Sequence, residues 1–168
     1  MTESAAPKVS LSAQQLNDKL LALILSMDGP QDLTAQNIER RTGLKIEPNP
    51  EDPSGFFSTG SLPEGWFYSL ISVEPVPGTP HHALLLNMGH AAEGYTDRTP
   101  VCVGLEHYRS ALTSAGFKES QRPPRLGTEY RFFRSGKVNV RVELQGRTTR
   151  YDEDLCVSRV FVSGKPQG

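Results

Sequence analysis

A chain of 168 residues falls within the usual size of one domain and is long enough to close a single hydrophobic core. Its 36% apolar and 22% charged content excludes a disordered chain, and no apolar run approaches the roughly 20 residues that span a bilayer. The formal net charge of −1 argues against a dedicated nucleic-acid binder, although the charge is unevenly placed, −6 over residues 1–117 and +5 over residues 118–168.

Residues 1–9 are small and polar and read as a flexible tail before one domain at 10–168. They hold no basic stretch followed by an apolar one, which as written fits a cytoplasmic protein; a periplasmic protein whose signal peptide has been removed would look the same. Ser12 followed by Gln15 has the form of a capping box, and Leu16, Leu20, Leu23, Ile24 and Met27 then recur at helical spacing until Asp28-Gly29-Pro30. Thr34 can cap a second, short helix, with Leu33 and Ile38 placed as a hydrophobic staple. Gly43 ends it, and Leu44 stands where a Schellman contact would be.

Residues 47–65 lose all periodicity. Pro48, Pro50, Pro53 and Pro63 interrupt them along with Gly55, Gly60 and Gly65, so they read as a long irregular loop. Strands follow at 66–73 and 82–88, joined by a wide proline-rich turn, with a second irregular loop at 89–99. Thr99-Pro100 fits the start of a third helix, with Leu105, Tyr108 and Leu112 on one face. Gly116-Phe117 ends it, placing Leu112 against Phe117. The remainder alternates as strands at 130–134, 138–145 and 155–162, with room for an extra short strand at 117–120. The expected class is α+β, an antiparallel sheet with helices on one face, in the order αα-ββ-α-βββ.

Candidate chemistry is sparse. A metal site from His82, His90 and a carboxylate such as Glu93 or Asp97 is weaker than a surface or turn reading of these histidines, so no metal or other cofactor is expected. Cys102 could serve as a nucleophile, but the only later histidine, His107, stands at a spacing that does not share its face. Cys102 and Cys156 can instead form a bridge, if they approach closely enough, or be two buried small apolar residues. The best functional lead is a surface. Phe56 and Phe57 in the 47–65 loop would anchor a protein partner, Glu51, Asp52 and Glu64 would form an acidic rim, and Tyr95 in the second loop would add a contact.

Three features together resemble the small immunity proteins that neutralise toxins of bacterial secretion systems. They are the αα opening ending in Arg41-Thr42-Gly43-Leu44, the stretch from Cys102 to Gly116-Phe117, and the alternating strands ending with Cys156. The likeness is one of general plan and rests on no signature motif. It implies a non-enzymatic inhibitor that binds a cognate toxin through a loop or sheet edge; charge and the lack of a long apolar run separately argue against a nucleic-acid partner and a membrane span. A secretion chaperone or adaptor, and a small hydrolase using Cys102 or the His82/His90 site, are the competing readings.

Overall fold

A computed structural model describes residues 11–74, 83–125 and 128–165. Helix α1 (Ala13–Ser26) begins on a capping box. Ser12 Oγ accepts from the Gln15 amide and Gln15 Oε1 from the Ser12 amide, both at 3.0 Å, so two donors that a helix start leaves orphaned find partners. Helix α2 (Ala35–Thr42) is capped by Thr34, whose hydroxyl accepts from the Asn37 amide, and Leu33 and Ile38 are both buried in the core. Gly43 takes φ 72° and its amide donates to the Glu39 carbonyl. The Leu44 amide then turns to the Thr42 hydroxyl, so this end is a simple left-handed cap and lacks the expected Schellman pair.

Eight strands form one sheet: β1 (Glu47–Asn49), β2 (Asp52–Ser61), β3 (Trp66–Val73), β4 (Ala83–His90), β5 (Lys118–Arg125), β6 (Thr128–Arg134), β7 (Val138–Gly146) and β8 (Leu155–Gly164). Their spatial order is β1-β2-β3-β4-β8-β7-β6-β5, antiparallel throughout. The α+β class is the expected one. The 47–65 stretch is the main correction: it is not a loop but two strands and a 3-10 turn at Pro63–Gly65. Its breakers have local uses. Pro48 lies in the outermost strand, where a missing donor costs least, and Gly60 lies opposite Tyr68. A Cβ on Gly60 would stand 2.5 Å from Tyr68 Cε1, so the bare backbone is what gives that ring its place.

Helix α3 (Leu105–Ser114) starts after Gly104. Thr99-Pro100 opens a separate 3-10 turn, Thr99–Val101, and so does not cap the helix. Its end is as expected. Gly116 has φ 93°, the Phe117 amide donates to the Leu112 carbonyl and the Gly116 amide to the Thr113 carbonyl, each at 3.0 Å.

The core lies between the helices and one face of the sheet, joining Leu16, Leu23 and Ile24 to Leu70, Leu86, Phe133, Val142 and Val160. Inside it the Tyr108 hydroxyl donates to Asn17 Oδ1, and Asn17 Nδ2 donates to the Ala13 carbonyl at 2.7 Å, tying α3 to α1. The sheet ends in strands that carry proline, Pro48 in β1 and Pro123 and Pro124 in β5, which blunts both edges against further pairing.

Candidate functional site

The sheet face away from the core carries one row of side chains in strict register. Phe57 stands opposite Ile71, Ile71 opposite Leu85, Leu85 opposite Phe161, Phe161 opposite Arg141, and Arg141 opposite Phe132. Ile71 is 38% exposed and Phe67, on the same face, 41%. The Arg141 guanidinium lies 4.9 Å above the Phe161 ring, so the apolar row ends under a cation.

Strand order converts the charge asymmetry of the sequence into a spatial one. No Lys or Arg occurs between Lys45 and Arg98, so β1 to β4 and their turns carry only acids, among them Glu47, Glu51, Asp52 and Glu64. The other half of the sheet places Lys118, Arg134, Arg141 and Arg159 on this open face.

The sequence-predicted partner residues do not form one patch. Glu51 is exposed at the β1–β2 turn, where its amide donates to Asn49 Oδ1, and Asp52 begins β2 with Oδ1 accepting from the Ser54 amide and hydroxyl. Phe56 and Phe57 are neighbours in a strand and so point to opposite faces. Phe56 packs against the helix-side core and lines a shallow groove with Leu33, Ile46 and Pro53, while Phe57 joins the open row. Glu64 is exposed at φ 56°, in the left-handed region. Tyr95 lies at the far end of the open face.

There the segment following β4 folds over the sheet and makes a cleft of about 440 Å³. Several contacts dock that segment. Cys102 and Cys156 are joined by a disulfide with Cα atoms 5.0 Å apart, the Val157 amide donates to the Val103 carbonyl, the Arg98 amide to the Arg147 carbonyl, and the Tyr95 hydroxyl to the Gly146 carbonyl. The bridge closes a separation of 54 residues, worth about 4 kcal/mol in the chain-entropy model. A Cβ on Gly146 would fall 1.9 Å from the Thr149 carbonyl oxygen, so only glycine lets the 147–154 turn fold back beside the cleft.

Arg98 is the central group of the cleft. Its guanidinium lies 5.1 Å from the centre of the Trp66 ring, and Nη2 donates to Gln145 Oε1 at 3.0 Å. Nε and Nη1 are solvent-excluded without a hydrogen-bond partner among the described residues. Burial holds this guanidinium below the ordinary arginine value, Arg159 adding to the effect and the Tyr95 hydroxyl opposing it. Arg159 Nε donates to Asn87 Oδ1 at 3.1 Å, and Glu143 lies between Arg141 and Arg159 at 3.9 and 4.0 Å. Arg98 meets Gln145 from 47 positions away and Arg159 joins from the next strand, so no spacing in the chain could announce them. The one available signal was that Arg98 is the first Lys or Arg after a long acidic stretch.

The catalytic candidates fare as follows. With its sulfur in the disulfide, Cys102 has no thiol to act as a nucleophile. His90 Nδ1 accepts from the Ala92 amide and its ring packs edge-on against Trp66, while Asp97 accepts from the Thr99 amide and hydroxyl. His82 lies outside the described residues, and among the described residues no three His, Cys, Asp or Glu converge as a metal set. No family model matches the chain, and no significant likeness is found to curated proteins or to solved structures.

Proposed function

We propose that the chain is a non-catalytic binding module that inhibits a bacterial protein toxin by covering it with the open face of the sheet. One observation carries this reading: the in-register row from Phe57 to Phe161, half-buried or exposed, on the face that the helices leave uncovered. A contiguous apolar patch rimmed by polar and charged groups is the usual composition of a protein-binding surface. Prolines at both edges disfavour strand addition, so the flat face and not an edge is the surface to bind with.

The partner that fits presents an apolar patch with acidic groups facing Arg141 and Arg159 and basic groups facing the β1–β2 acids. Such opposed charges fix orientation and speed encounter. The disulfide favours an oxidising compartment, and with it a periplasmic site of action over a cytoplasmic one. A secretion chaperone or adaptor would use the same face without protecting the host.

The test is co-expression with neighbouring reading frames that arrest growth. The chain should restore growth, and Ile71→Asp or Phe67→Asp should abolish the rescue while leaving the melting temperature near that of the parent. Rescue by both variants, or a neighbouring toxin that the chain never relieves, contradicts the reading.

A further inference from the structure

We infer that the cleft under the segment following β4 is a carboxylate-binding site, with Arg98 as its central cation and Arg159 and Arg150 at its sides. This does not rest on the open face as a docking surface. Arg98 is a poorly compensated charge: a neutral hydrogen bond to Gln145, the Tyr95 hydroxyl and the face of Trp66 are its neighbours, and among the described residues no carboxylate lies within salt-bridge distance. The carboxylate in the cleft, Glu143, is held by Arg141 and Arg159. Three arginines against one glutamate leave the cleft net positive, and its volume of about 440 Å³ is that of a small-ligand or side-chain pocket. An anion entering there supplies the counter-charge that the fold withholds.

What selects a carboxylate over a phosphate is the lining between the charges, since guanidinium forks pair with either anion. Around the arginines the walls are amphipathic, with Trp66 and His90 packed edge to face at 5.3 Å and Tyr95 and Tyr130 adding phenol rings. They favour a carboxylate on a short carbon chain, either a free dicarboxylic acid or a glutamate side chain of a protein.

Trp66 is the only tryptophan in the chain, so its fluorescence reports on the cleft directly. The probes are glutarate, an end-capped glutamate peptide, inorganic phosphate and the neutral glutaramide. Glutarate or the capped peptide should give a saturable change that weakens with salt, and glutaramide none. Arg98→Gln should weaken binding at least tenfold, about 1.4 kcal/mol. Arg150 is exposed and unneeded for packing, so Arg150→Gln gives a second variant whose folding is not in question and which should also bind more weakly. Tighter binding of glutarate than of the peptide identifies a small-molecule ligand, and the reverse a protein side chain; both support a carboxylate site. The inference is overturned by a flat response to both carboxylates, by an equal response to glutaramide, by phosphate binding more tightly, or by unchanged affinity in Arg150→Gln.

Discussion

Tyr108 shows how a single side chain in this core does two jobs. Its ring fills the space between α3 and α1, and burial pushes its phenol well above the ordinary tyrosine value, so the proton needed for the bond to Asn17 is never lost near neutrality. Tyr108→Phe keeps the ring but leaves Asn17 Oδ1 in the core without its donor. The expected cost is about 1–3 kcal/mol in urea melts with an unchanged slope. A loss below about 0.5 kcal/mol would show that the bond adds little. The sequence marked Tyr108 as core-facing because Leu105, Tyr108 and Leu112 share a helical stripe. Nothing in it marked Asn17, a polar residue one position beyond Leu16 whose burial depends on a hydroxyl 91 residues away.

Among the elements, most helix ends were legible, while the start of α3 and the first hairpin were not. Caps are written in adjacent residues: Ser12 with Gln15, Thr34 before α2, Gly116-Phe117 after α3. Strand β2 was hidden because it accommodates Pro53, Gly55 and Gly60, and what makes it a strand is its pairing with β3, which lies outside the segment. The 147–154 turn carries Asp152-Glu153-Asp154, and the structure gives Asp152 a specific role. Its Oδ2 accepts from the Thr148 hydroxyl and amide and its Oδ1 from the Asp154 amide; these bonds, the Thr148 hydroxyl first, hold its carboxyl below the ordinary aspartate value of 3.8. A depressed folded value means that the contribution is present above the unfolded value and is lost as pH falls through the folded one. Following the Asp152 carboxyl carbon by NMR should give a midpoint below 3.8, and a midpoint at or above it would contradict the bonding.

For the whole molecule, the chain order of charge and the spatial order of strands act together. The acidic first half supplies β1 to β4 and the basic second half β5 to β8, and since β4 pairs with β8 the two halves meet as a sheet with opposite charge at its two sides. The charge imbalance was visible in the sequence, but the β4–β8 seam that gives it a direction was not, because it joins residues more than 70 positions apart. The same seam brings Leu85 against Phe161 and completes the apolar row. The site expected around residues 47–65 therefore divides: Phe57 stays with the row, Phe56 belongs to the scaffold, and Tyr95 goes to the cleft. Hydroxyl-radical footprinting of the chain, alone and bound to the toxin that the proposal assigns to it, tests the proposed surface most directly. The proposal expects protection of Phe57, Phe67, Ile71 and Phe161 with Phe56 and the helix surfaces unchanged. Protection of α1, α2 or the β1–β2 turn, with the open row still reactive, would contradict it.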